Sequence, residues 1–257
     1  MNIIYEDLRY LKDCFRYWLL GKVNKNKDMA TFQNKHQGER CFIVATGPSL
    51  TIEDVEALRN ETTFAVNSCF RIFTKTDWRP TYYVVADPKF ITDLGTELEQ
   101  NNDQIPCAFC GDGVNWKKDG VIKFNASKKY QHLPTRGMLR RIIDIKKENF
   151  MSTDASKGII AGHTVIFSVL QIAYYMGFSE INLIGTDCNY SGMLQYSSLT
   201  NHTHINKPNA ADLMIVDYYY VKRHFDKFGI SVYNATRGGM LDVFERVALE
   251  KVLSKKN

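Results

Sequence analysis

The residues best suited to chemistry fall in short polar segments, each placed directly after an apolar run. Thr46-Gly47-Pro48-Ser49-Leu50 stands between the run Cys41–Ala45 and a helical pattern. A glycine there lets the backbone approach a ligand closely, and amides at a helix start favour a phosphate. The segment is neither a P-loop nor a GxGxxG fingerprint, and a plain strand-to-helix turn is its alternative reading. Gly162-His163-Thr164 opens a long apolar helix and forms a second candidate phosphate site. Asn67-Ser68 follows the run Thr63–Val66; the amide offers donor and acceptor together, as a base or ribose edge requires, or simply makes a turn. Asp87 and Asp187 end two further runs, where carboxylates could hold Mg²⁺, bind ribose hydroxyls or cap loops.

A Ser/Thr/Asn-rich loop holds Tyr190, Tyr196, His202 and His204. Long loops without structure of their own are often lids. A histidine there could take a proton from a sugar hydroxyl, and tyrosine hydroxyls could hydrogen-bond a leaving phosphate. Solvated loop residues and, for the two histidines, metal ligation are the alternatives; no third ligand at motif spacing accompanies them, and no metal site is assigned. Arg136, Arg140 and Arg141 lie in a polar, basic stretch over 125–158 that no period places; contact with an anionic acceptor and ordinary exposure both fit. Cys107-Ala-Phe-Cys110 reads as a core strand, with a redox or half-zinc motif as the lesser alternative.

The elements that must position these residues alternate. Strands are expected at 41–45, 63–66, 81–86, 106–110, 121–124, 180–184 and 230–233, and helices at 52–59, 163–176, 209–228 and 240–253. Thr51 with Asp54 reads as a capping box for the first of these helices. The alternation predicts an α/β fold, one mainly parallel sheet with helices on both faces. Ligands then bind beyond the carboxyl ends of the strands, where the polar segments fall. Ile4, Leu8, Leu11, Phe15 and Trp18 form one stripe of an N-terminal amphipathic helix over 3–20. That helix either packs on the domain or meets a membrane surface or a second copy. The organisation expected is an N-terminal helix and linker over 1–38 and a nucleotide-binding domain over 39–257, with a lid-like loop at 188–208.

The chain has 257 residues, 44% hydrophobic and 24% charged, which excludes a disordered or collagen-like protein. No apolar run is long enough to span a bilayer, and Glu6, Asp7 and Arg9 break the pattern of a secretory signal. The net charge of +5 comes from the two ends rather than the middle. That placement argues against a nucleic-acid enzyme and suits an anionic membrane surface or solvated tails. A cytoplasmic chain, peripheral on the inner face of the membrane, is the expectation.

Taken in order, Ala45-Thr46-Gly47-Pro48-Ser49-Leu50, Ala65-Val66-Asn67-Ser68 and Val84-Val85-Ala86-Asp87-Pro88 resemble the bacterial sialyltransferases of glycosyltransferase family 42. They also resemble the related superfamily of 6-hydroxymethylpterin pyrophosphokinase-like proteins, known as domain of unknown function 115. Ile160-Ala161-Gly162-His163-Thr164 and the segment Glu180 to Asp187 follow at matching spacing, and Asn234-Ala235-Thr236-Arg237-Gly238-Gly239 suits the broader superfamily better. The resemblance implies a Rossmann-like fold of the GT-A-variant type. It implies that Thr46, Gly47, Ser49 and Asn67 bind a CMP-activated sugar, that Tyr190 and Tyr196 contact its phosphate, and that His204, with His202 as fallback, is the general base. The activity implied is inverting transfer of a sialic-acid-like sugar to a bacterial surface glycan or glycolipid, such as lipo-oligosaccharide or capsule. No cofactor is required, and Mg²⁺ enters only with a diphosphate donor. The alternatives are a Mg²⁺-dependent pyrophosphokinase and a non-catalytic nucleotide-binding scaffold in polysaccharide assembly; self-association through residues 4–18 is compatible with each.

Overall fold

The computed structural model describes residues 3–20, 22, 25–128, 150–189, 193–195, 200, 203–205 and 210–255. In chain order the strands are β1 (Arg40–Val44), β2 (Thr63–Val66), β3 (Tyr82–Val85), β4 (Ala108–Gly111), β5 (Ile122–Phe124), β6 (Ala126–Ser127), β7 (Ile159–Ile160), β8 (Glu180–Ile184), β9 (Met193–Gln195), β10 (Thr203–Ile205), β11 (Ser231–Asn234) and β12 (Glu245–Arg246). The helices are α1 (Ile3–Leu20), α2 (Lys27–Ala30), α3 (Ile52–Glu56), α4 (Pro88–Glu99), α5 (Val165–Tyr175), α6 (Ala210–Phe228) and α7 (Leu249–Leu253), with 3₁₀ turns at Asn67–Thr74 and Asn102–Gln104.

Eight strands make one sheet in the order β12-β11-β8-β1-β2-β3-β4-β5. Every neighbouring pair in it is parallel. A parallel sheet must be covered on both faces, and the strands are apolar on both. Cys41, Ile43, Phe64, Val84, Phe109 and Leu183 belong to one core, with α5 and α6. Phe42, Val44, Ala65, Tyr83, Val85 and Cys110 belong to the other, with α3, α4 and α7. The α/β architecture with helices on both faces is as expected from the sequence.

Several local expectations hold, and others are revised. Thr51 caps α3 in a capping box with Asp54. The helix expected at 240–253 is instead the edge strand β12 followed by the short α7. The Arg246 guanidinium binds the carbonyls of Thr236, Gly238, Gly239 and Leu241, so these oxygens serve a loop rather than a helical ladder. The stretch 188–208 contains a small antiparallel hairpin of β9 and β10. At the other edge of the large sheet, the Asn26 amide donates to the carbonyl of Lys123 in β5 at 2.7 Å.

The N-terminal helix docks, but not by its apolar stripe. Glu6, Tyr10 and Asp13 are buried, while Ile4, Leu8, Leu11, Phe15 and Trp18 remain exposed. The reading in which the stripe packs on the domain is therefore corrected. The helix is tied to the domain by polar contacts: Ser127 Oγ donates to the Asp13 carbonyl at 3.3 Å and Arg16 pairs with Asp112 at 2.8 Å. No helix among the described residues is long and apolar enough to cross a membrane.

The chain winds outward in opposite directions from the central pair of β1 and β8, which makes their carboxyl ends the switch point of the sheet. There the two loops are stitched together. Ala45 N donates to Ile184 O at 2.9 Å and Gly47 N to Gly185 O at 2.8 Å. Ser49 Oγ donates to Asp187 Oδ2 at 2.9 Å. A side chain at position 47 would put its Cβ 2.0 Å from Asp187 Oδ2 and 2.3 Å from Gly185 O. The glycine thus makes room for the chain's own carboxylate. We expect Gly47→Ala to destabilise the fold by on the order of 3 kcal/mol, since neither neighbour can yield without breaking the stitch. Calorimetry should show melting roughly 10 °C lower; an unchanged melting temperature would remove the stitch from the account.

Candidate functional site

A cleft of ≈ 580 Å³ opens over the carboxyl ends of β1 to β4 and β8, closed on its far side by the start of α5 and by α6. Its size suits a nucleotide-sized ligand. Thr46, Asn67, Asp87, Gly162, His163 and Thr164 all line it, so six of the sequence-selected residues come together at one place. Ser49 and Asp187 bond to each other beside the lining. Gly47 packs on that pair, Pro48 is exposed, and Ser68 is buried beneath the Asn67 turn.

The β2 end is held in an unusual backbone. Asn67 has φ +48°, the left-handed region that asparagine tolerates better than most residues. A tyrosine on the next strand fixes it. The buried Tyr83 hydroxyl accepts from Phe70 N at 2.9 Å and donates to the Asn67 carbonyl. Burial pushes the Tyr83 phenol well above its ordinary range, so it stays protonated and able to donate. Among the described residues the Asn67 side-chain oxygen has no hydrogen-bond partner although it is buried. The same holds for Thr186 Oγ1 at the end of β8, another lining residue. Buried polar atoms are nearly always paired, so two without partners on residues that line one cleft single out this part of its wall.

The β3 end has a local task. Asp87 caps α4, accepting from Lys89 N at 2.9 Å, with Pro88 as first helical residue. Asp112, after β4, is engaged by Arg16 of α1 at 2.8 Å, and Arg16 and Lys128 bring positive charge to the lining. Asp187 has its pKa raised, chiefly by burial, with the Ser49 hydrogen bonds opposing the shift.

The start of α5 is positioned by two polar side chains in an otherwise apolar core. Gln171, fully buried within α5, accepts from the amides of Ser152 and Ile160 and donates to the carbonyls of Ile160 and Phe167, all at 2.8–3.0 Å. It pins β7 and so the turn that follows. Asp217, fully buried on α6, accepts from His163 N at 2.5 Å and faces His163 Nδ1 at 3.0 Å. A Cβ at Gly162 would lie 2.6 Å from the same carboxylate. Thr164 caps the helix by accepting from Ile166 N at 3.3 Å. The amides of His163 and Ile166 are therefore used within the chain, and what this end presents to the cleft is an imidazole steadied by a buried carboxylate.

Sequence reasoning did not single out Asp217, Arg16 or Asp112. Asp217 had a legible signal: it sits among Met214, Tyr218, Val221 and Phe225 on the inward stripe of α6, where a carboxylate needs a partner. Tyr190, Tyr196 and His202, like Arg136, Arg140 and Arg141, lie outside the described residues. His204 stands in β10 opposite Leu194, and its side chain also lies outside them. All six cysteines are free, and burial raises the thiols of Cys107 and Cys110. Among the described residues no three His, Cys, Asp or Glu side chains group as a metal site.

No curated protein matches the chain. Among solved structures it is similar to the MAf glycosyltransferase from Magnetospirillum magneticum AMB-1, at 13% identity and a TM-score of 0.49. That likeness covers 85% of this chain and 35% of the other, so the chain spans about a third of that protein's length. The sequence model of the family described as 6-hydroxymethylpterin diphosphokinase MptE-like matches residues 19–193, more than half of the chain. That span carries Thr46, Asn67, Asp87, His163 and Thr186, and the chain belongs to the MptE-like family.

Proposed function

We propose that this chain is a transferase that takes a sugar from a CMP-activated donor and moves it to a hydroxyl of a bacterial surface glycan. The observation that carries the reading is the pair of buried, unpartnered oxygens on Asn67 and Thr186, two residues that line the switch-point cleft. Turned toward the cleft, each side chain would meet the hydrogen-bond donors that a nucleoside supplies. At the other side of the cleft, His163 is the group for the donor's phosphate. Its Nδ1 faces the buried Asp217 at 3.0 Å, which orients the ring toward the cleft.

In this reading the acceptor oxygen attacks the anomeric carbon, and the bond from that carbon to the phosphate oxygen breaks with inversion. His204, on the hairpin, takes the acceptor proton. His163, with Tyr190 and Tyr196 as further donors, holds the departing CMP. One phosphate leaves, and hydrogen bonds suffice to hold it.

The family description favours a second reading, transfer of diphosphate from ATP to a small alcohol. That chemistry needs Mg²⁺ held by carboxylates. The carboxylates around the cleft are engaged singly: Asp87 by the α4 amide, Asp112 by Arg16, Asp187 by Ser49 and Asp217 by His163. Each would have to give up its present partner to hold a metal, which favours the CMP donor.

Thermal-shift measurement with CMP, CDP, UDP, GDP, AMP and ATP, each with and without Mg²⁺, separates the readings. CMP at about 100 times its dissociation constant should stabilise by about 2.7 kcal/mol, without metal, and Asn67→Ala should abolish the shift. A response to ATP with Mg²⁺ alone would transfer the assignment to the diphosphokinase. On the transferase reading, Asp217→Asn should lower kcat about 10–1,000-fold with little change in donor KM, and His204→Ala about 100–10,000-fold. Steady-state kinetics with a CMP-sugar check both, and full activity in His204→Ala would take the proton-acceptor role from that residue.

A further inference from the structure

The first helix is built inside out. Its acids face the protein, with Glu6 and Asp13 buried and Asp7 half-buried, while Arg9, Lys12 and Arg16 are exposed. Its apolar stripe points away from the domain: Ile4 is 65%, Leu8 61%, Leu11 49%, Phe15 58% and Trp18 56% exposed. Phe15 and Trp18 stack at 5.7 Å, and Lys22 lies over the Trp18 ring at 5.6 Å. At about 100–150 Å² for each half-exposed large side chain, the stripe offers on the order of 600 Å² of apolar surface, the upper end for a soluble monomer. The helix is held in this pose by the Arg16–Asp112 pair and the Ser127–Asp13 bond, so the exposure belongs to a docked element.

We infer that α1 is the surface by which this protein lies on an anionic lipid bilayer. The charge settles the choice of occupant. Arg9 and Lys12 are exposed, Arg16 turns to Asp112 and the cleft, and Glu6 and Asp13 are buried, so the charge left outside complements a negative headgroup layer. The basic residues Lys22, Lys25 and Lys27 follow at the same end as the aromatic pair, where a lysine and a tryptophan sit at headgroup level. Arg16 is on this helix and also lines the cleft. The bilayer therefore lies within about a helix diameter, ~10 Å, of the cleft's rim, and the acceptor reaching it is amphiphilic. Binding itself does not depend on which nucleotide the cleft takes.

Co-sedimentation of the full chain with phosphatidylcholine vesicles, with and without phosphatidylglycerol, tests this. Wild type should partition onto the phosphatidylglycerol vesicles at least about ten-fold more than onto phosphatidylcholine alone, at about five-fold per basic side chain brought to the surface. The double variant Phe15→Ser/Trp18→Ser should lose binding to both, and Lys12→Glu should weaken only the anionic case. All of these side chains are exposed, so the variants should melt like wild type and respond to nucleotide as wild type does. Absence of vesicle binding by wild type, or binding unchanged in the double variant, overturns the inference. So does light scattering that shows a dimer dissociated by the double variant and no lipid partition, which would assign the stripe to a second copy. None of these results bears on the nucleotide shift, so failure here and failure of the transferase reading are distinguishable.

Discussion

The contact of two loops where β1 meets β8 is the constraint on which the rest is built. The chain leaves this strand pair in opposite directions, so the two halves of the sheet meet along the pair and its loops. The Gly47–Gly185 backbone bond and the Ser49–Asp187 bond close that seam. Because the seam is filled by Asp187 itself, the open space is displaced toward β2, β3 and α5, and the cleft forms there. A glycine placed where the sequence suggests a phosphate cradle instead determines where the ligand can go.

Around that seam, three buried polar side chains set the cleft's walls. Tyr83 holds the Asn67 turn, Gln171 holds β7, and Asp217 holds His163. Each spends its hydrogen bonds on backbone or on a neighbour that faces the cleft. Each would be costly to bury unpaired. The arrangement places rigid support behind the residues that line the cleft, while the oxygens of Asn67 and Thr186 stay buried and unpaired within its wall.

The fold was legible because parallel strands covered on both faces write themselves as short apolar runs, as Phe42–Val44 and Tyr82–Val85 do. The polar strand ends were legible for the same reason: Thr46, Asn67 and Asp87 each break such a run, and the cleft lies above them. Partnership across the chain was not legible. Asp217 and His163 are 54 residues apart, and Arg16 and Asp112 are 96 apart. The direction faced by α1 was also hidden, since periodicity locates a stripe and says nothing about which side finds the domain. The helix expected at 240–253 failed because Arg246 offered the loop carbonyls a better donor set than a helix would.

A sheet with two open margins could grow by adding strands from another chain. Here neither margin invites it. β12 is two residues long, and both, Glu245 and Arg246, are exposed and charged. On β5 the outward carbonyl of Lys123 is already occupied by Asn26. Parallel sheets assemble slowly from distant segments, so unfinished edges stay exposed while the chain folds. The blunted margins therefore give strand pairing with another chain little to extend.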